Sequence, residues 1–222
     1  MRSLFPLALA SLTALAATPA SAQQTDEQLW LASTGSAPLG DGMRVTVEAI
    51  ARFSDRAAGF FHDEIGGSLS RTVAPGVELA IGYRHVDDYD HGRAKPNEER
   101  LRQFVTAQLG HGFTARLRFE ERFQRGGSEV AFRMRPQLRF TLPLDRHGLQ
   151  LFATQEHFLN FNGTRWGVRS GYERMRNAVG LSIPLSPKLR GDLGYLNQYR
   201  FGRAGARDQM DHAATFSIAL TL

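Results

Sequence analysis

His212 to Leu222 reads HAATFSIALTL. In an extended chain, Ala214, Phe216, Ile218, Leu220 and Leu222 fall on one side and Ala213, Thr215, Ser217, Ala219 and Thr221 on the other, because successive strand side chains point to opposite faces. Alternation carried to a hydrophobic final residue is the pattern of a strand that closes a barrel, whereas a soluble domain more often finishes on a polar tail. The same period recurs upstream. Phe113, Ala115, Leu117, Phe119 and Phe123 oppose Thr114, Arg116, Arg118, Glu120 and Arg122. Phe132, Met134, Leu138, Phe140 and Leu142 oppose Arg133, Arg135, Gln137, Arg139 and Thr141.

The alternation predicts strands over 43–53, 60–71, 77–85, 99–109, 113–123, 130–142, 149–158, 172–185, 189–201 and 212–222. Each is long enough to cross a bilayer at a tilt, which takes roughly 9–11 residues. The connections alternate in length. VAPG (73–76), GHG (110–112), PLDRHG (143–148) and LSPK (185–188) are tight and rich in Gly or Pro, while 87–98, 124–129, 159–171 and 202–211 are longer and polar. Short turns at one end and long loops at the other are the pattern of an antiparallel transmembrane β-barrel. The reading is a barrel of about ten strands over 43–222, with twelve possible if 28–34 and 159–170 add a pair. Both termini and the short turns then face the periplasm. Residues 23–42, with Trp30, form an N-terminal segment read as a periplasmic or luminal plug or an added edge strand.

The N-terminus is consistent with this location. Arg2, the apolar run Leu4–Ala17 and the small-x-small site Ala20-Ser21-Ala22 predict a signal peptide over 1–22, cleaved near Ala22. No Cys occurs, so disulfides and thiolate metal sites are excluded. The net charge is +5, but the basic residues are spread along the strands and form neither the cluster nor the motif that nucleic-acid binding requires. The mature cations are almost all Arg; the only Lys residues are Lys95 and Lys188. A water-facing surface would use both, so the Arg-rich faces point to an interior. The predicted lumen is lined by Glu48, Arg52, Arg84, Arg102, Arg116, Arg118, Glu120, Arg122, Arg133, Arg135, Arg139, Glu156, Arg174, Arg176, Arg190 and Asp192, with Glu64 and Glu78 sharing the interior. Such a lumen serves as a salt-bridged polar core or as a narrow anion-preferring pore.

The chain resembles a bacterial family known as domain-of-unknown-function family 2490, grouped with outer-membrane barrels. The resemblance lies in Asp26-x-x-x-Trp30, EAIAR (48–52), Gly82-Tyr83, Glu98-x-Arg100, Arg116-x-Arg118-x-Glu120-x-Arg122, Glu156-x-Phe158 and GYLNQ (194–198). It implies a fold and an outer-membrane location but carries no activity or catalytic residue.

Other chemistry is thinly represented. Asp87 and Asp88 in HVDDYDH (85–91), with Asp211 and His212, are the candidates for a water-activating site at the long-loop rim. Their adjacency argues against it, since neighbouring strand residues face opposite ways. His157 could face outward, but no His-x-Ser pairing accompanies it. There is no P-loop, dinucleotide-binding glycine motif or zinc spacing, so no cofactor or metal is expected. The expectation is a non-enzymatic outer-membrane barrel. Its partners would be lipid, lipopolysaccharide and the barrel-insertion machinery, engaged through the C-terminal strand; its oligomeric state is left open. The alternatives are a rim hydrolase and a soluble periplasmic binding barrel.

Overall fold

The computed structural model describes residues 23–203 and 205–222, so the expected signal peptide lies outside the described residues. The strands are β1 (Gln24–Gly40), β2 (Met43–Ser54), β3 (Gly59–Ala74), β4 (Val77–Asp90), β5 (Arg93–Ala94), β6 (Glu98–Gly110), β7 (Phe113–Gln124), β8 (Val130–Pro143), β9 (Gln150–Asn160), β10 (Gly171–Ser186), β11 (Leu189–Arg200) and β12 (Gln209–Thr221). β5 is a two-residue addition to the end of β4. The other eleven close into a barrel through the β3–β4 pairing. The all-β barrel read from the alternation is therefore the fold, with a strand count between the two anticipated.

Two features differ from the sequence reading, and both follow from the first strand. Residues 24–40 are not a plug; they form a 17-residue barrel strand. β1 pairs antiparallel with β2 and parallel with β12, from Gln24↔Gln209 to Ser36↔Thr221. In an up-and-down barrel an odd number of strands brings the first and last together pointing the same way, so one parallel seam is unavoidable. It also corrects the placement of the termini. β1 starts at the end that carries the long connections 91–97, 161–170 and 201–208, whereas β12 finishes at the opposite end with the short turns. The extra pair considered for twelve strands does not form, because 161–170 is a loop. Phe60–Arg71, the weakest alternation, lies within the 16-residue β3.

The tight turns have the backbone their sequences imply. Gly110, His111 and Gly112 all adopt positive φ (82°, 49° and 82°). This left-handed geometry matches the twist of the flanking strands and is open to glycine without strain.

The barrel is apolar outside and charged inside. Val47, Ile65, Ile81 and Leu109 point outward, each about 60 % exposed, while Arg102 and Glu120 are at most 1 % exposed. Inward packing is aromatic where the backbone leaves room. Gly180 and Gly194 are cross-strand neighbours on β10 and β11, and Phe152 of β9 lies over them. A Cβ added at Gly180 would sit 2.7 Å from both Gly194 Cα and the Phe152 ring. Gly180→Ala should therefore lower barrel stability by about 1–3 kcal/mol through overpacking. The check is a downward shift of the urea midpoint of the folded protein; an unchanged midpoint would mean that the β11 backbone at Leu193 and Gly194 and the Phe152 ring all give way to the methyl group.

Candidate functional site

The interior is built by strand parity. β6 sends Glu98, Arg100 and Arg102 inward; β7, Arg118, Glu120 and Arg122; β8, Arg133 and Arg135; β9, Glu156, Phe158 and Asn160. Register then sets like charges opposite one another: Arg100 faces Arg122, and Arg118 faces Arg135. Directly opposed like charges are destabilising. Each pair is bridged by a shared carboxylate. Glu98 takes Arg122 in a fork, Nε to Oε1 at 2.8 Å and Nη2 to Oε2 at 2.6 Å, and also binds Arg100. Glu120 accepts from Arg135 Nη1 at 2.9 Å and Arg133 Nε at 2.7 Å, with Arg118 Nη1 at 3.4 Å. Arg135 turns its remaining nitrogens to Glu156, at 3.2 and 3.0 Å. A second knot centres on Glu64, which receives Arg52 at 2.9 Å, Arg84 and His62 Nε2 at 2.7 Å.

Aromatic rings fill the space between guanidiniums. Phe158, 1 % exposed, has Arg133, Arg135, Arg174 and Arg176 at 4.3–5.4 Å from its ring centre. Trp30 of β1 lies beneath Arg52 at 4.0 Å and Arg176 at 4.7 Å. Cation–π contact of this kind strengthens when desolvated.

Arg52, Arg84, Arg102, Arg118, Glu120, Arg122, Arg133, Arg135 and Glu156 are buried; Glu48, Arg116, Arg139, Arg174, Arg176, Arg190 and Asp192 are half-buried. Glu48 receives Arg84 and Arg102. Asp192 accepts from Ser182 Oγ at 2.5 Å and lies 3.7 Å from Arg139. Arg190 donates to the Gly148 carbonyl at 3.2 Å, and Arg116 lies 4.0 Å from Glu156. Arg100, Glu98, Glu173 and His62 were absent from the lumen predicted above. Strand parity alone would have found Arg100, which is in phase with Arg102, and His62, which is in phase with Glu64.

The rim candidates are not gathered into one site. Asp88 accepts from His62 Nδ1 at 2.6 Å, whereas Asp87 sits with His85 at 3.0 Å. Asp211 is fully buried and receives Gln198 and Gln209, both at 2.6 Å. His212 meets the Tyr195 hydroxyl at 2.5 Å. Both ring nitrogens of His62 are occupied by carboxylates, Asp88 at Nδ1 and Glu64 at Nε2. His157 is hydrogen-bonded to Tyr172, at 2.6 Å.

Two neighbouring spaces share lining residues. An inner chamber of about 410 Å³ is lined by Trp30, Phe158 and much of the arginine network. A mouth of about 520 Å³ lies among Trp166, Arg169, Arg203 and Arg207. Asp88, Arg122 and Arg200 border both. In the loop beside the mouth, the Tyr199 hydroxyl and the Gly202 N–H hold the Asp208 carboxyl below its ordinary range.

Glu120 is the test of this network, because three guanidiniums depend on it. Glu120→Gln should cost about 3–5 kcal/mol, the penalty for leaving buried charge uncompensated. Denaturant unfolding of the folded barrel measures it; a loss below about 1 kcal/mol would mean that water replaces the carboxylate.

Residues 27–210 match the family described as "Protein of unknown function (DUF2490)". An uncharacterised protein of Methylorubrum extorquens is 31 % identical over 199 residues, covering 87 % of this chain and 86 % of that protein. The match spans β1 through the start of β12, and so the whole circuit of arginine-bearing strands. The chain belongs to the DUF2490 family.

Proposed function

We propose that this protein is a non-enzymatic integral β-barrel of the bacterial outer membrane whose lumen is closed at its waist by an arginine–carboxylate network. The observation that carries this reading is the inversion of polarity: isoleucines, leucines and valines face out while arginines and glutamates are buried. The outward apolar stretch is bounded on the long-loop side by polar groups. On β4, Leu79, Ile81 and Tyr83 give way to His85 and Asp87; on β10, Ile183, Leu181 and Val179 give way to Asn177. On β12, Leu220, Ile218, Phe216 and Ala214 give way to His212. Eight residues of such a strand, at ~3.3 Å each and ~40° tilt, rise about 20 Å, close to the ~25 Å apolar band of outer-membrane barrels.

Closure, in preference to an open anion-preferring pore, is supported by packing. Arg102, Glu120 and Phe158 are almost wholly inaccessible, although an aqueous channel would wet them. The scattering of Asp87, Asp88, Asp211 and His212 supports the non-enzymatic assignment. In this reading the short turns face the periplasm, so β1 begins on the outer side of the membrane and β12 ends on the inner side.

Planar-bilayer recording tests closure: the folded protein should give no steady conductance steps, and steady anion-selective steps would replace the closed lumen with a pore. Membrane residence is tested separately. The protein should stay in the carbonate-washed membrane fraction and migrate faster unheated than boiled. Release into the supernatant would favour the soluble periplasmic barrel. An epitope in the 161–170 loop should be accessible on intact cells and one after Leu222 should not; the reverse pattern would invert the orientation.

A further inference from the structure

The arginine network does not balance around the inner chamber. Ten guanidiniums line it, with Glu48, Glu64 and Asp88 as the lining carboxylates. Five more carboxylates reach those guanidiniums: Glu98 and Glu173, which line the mouth, and Glu120, Glu156 and Asp211. Eight carboxylates meet these ten guanidiniums, and Glu48 also takes Arg102, so positive charge exceeds negative by at least two among the described residues. The shortfall falls on particular side chains. Arg176 donates Nε to Gln198 at 2.7 Å, and its nearest carboxylate, Glu156, lies 3.9 Å away, beyond hydrogen-bond distance. Arg200 is likewise 3.9 Å from Asp211, and Arg118 reaches Glu120 only at 3.4 Å. Arg118 is also buried with its Nε unpartnered.

We infer that the chamber is a binding site for a small, multiply charged oxyanion that enters through the long-loop mouth. The shared chemistry is a phosphoryl or carboxylate group carrying at least two negative charges. Each of these weakly paired guanidiniums offers a planar fork to such a group, and forks of this kind favour carboxylate and phosphate over a spherical halide. Arg176 is already oriented. Its guanidinium is held between Trp30 and Phe158, at 4.7 and 4.6 Å from their centres, so little side-chain freedom is lost on binding. Arg122 and Arg200 border both spaces together with Asp88, so the shared boundary carries two guanidiniums to one carboxylate. About 410 Å³ accommodates a pyrophosphate or tricarboxylate and excludes a polymer. The inference deepens the proposed lumen and rests on a folded barrel, which the experiment reads independently.

The test is calorimetric titration of the purified, folded protein in detergent micelles with inorganic pyrophosphate, and in parallel with citrate, acetate and chloride, at constant ionic strength. Saturable binding of one equivalent of pyrophosphate or citrate is expected, with none of acetate or chloride. Arg176→Gln should weaken binding at least tenfold, and Arg176→Lys, which keeps the charge without the fork, less. Arg176 has no hydrogen-bonded carboxylate, so its loss strands no buried negative charge. If that variant does not fold, Arg200→Gln takes its place. Arg139→Gln, whose arginine packs on Phe152 outside the chamber, should bind as the parent does. The inference is overturned if the parent binds nothing, if the Arg176 variants bind unchanged, or if Arg139→Gln loses as much. Heat-modifiable migration of every variant separates failure of the site from failure of the barrel.

Discussion

A guanidinium enclosed by protein must be matched by a carboxylate, and the rest of this structure depends on that constraint. A desolvated charge without a partner costs several kcal/mol, far more than a mispacked methyl group. In this barrel the apolar side chains point outward, so the interior cannot be held by a hydrophobic core. Instead, Glu64, Glu98 and Glu120 each serve two or more arginines. Arginine suits the role because one planar fork can engage two carboxylates at once, as Arg135 does with Glu120 and Glu156. The network also specifies register. Slippage of β7 by one residue would turn Arg118, Glu120 and Arg122 outward and bring Leu117 and Phe119 into the charged interior.

The aromatic residues belong to the same solution. Phe158, Trp30 and Phe104 are large apolar groups near the network, and they supply surfaces against which guanidiniums lie. They take up volume that carboxylates could fill only by adding negative charge. Phe152 does the corresponding work further along β9, where it covers the bare backbone of Gly180 and Gly194 and carries Arg139 on its ring at 4.3 Å. Where neither carboxylate nor ring completes the packing, a chamber with surplus positive charge remains.

The seam between β1 and β12 has a cost and a consequence. Parallel pairs are slightly less stable per residue than antiparallel ones. Here the seam is long, thirteen partner pairs from Gln24↔Gln209 to Ser36↔Thr221, and it carries Trp30 into the interior. Its consequence is a molecule whose first and last strands begin at the same end, so that β1 starts and β12 finishes at opposite ends.

What the sequence determined by itself is the local alternation. HAATFSIALTL, the Arg-rich faces of β7 and β8 and the glycine-rich turns specify strands, their inward and outward faces and the family, because side-chain parity and turn conformation are short-range properties. The same parity makes most of the lumen legible, Arg100 and His62 included, because they are in phase with Arg102 and Glu64. What only the tertiary structure decided is long-range. Residues 24–40 carry a mixed pattern (QTDEQLWLASTGSAPLG), and nothing local distinguishes a plug from a strand that takes a parallel partner nearly two hundred residues away. Nor could alternation show which carboxylate serves which guanidinium. That depends on the closure and stagger of the whole barrel, which bring Glu64 of β3 against Arg52 and Arg84 and leave Arg176 beyond hydrogen-bond reach of Glu156.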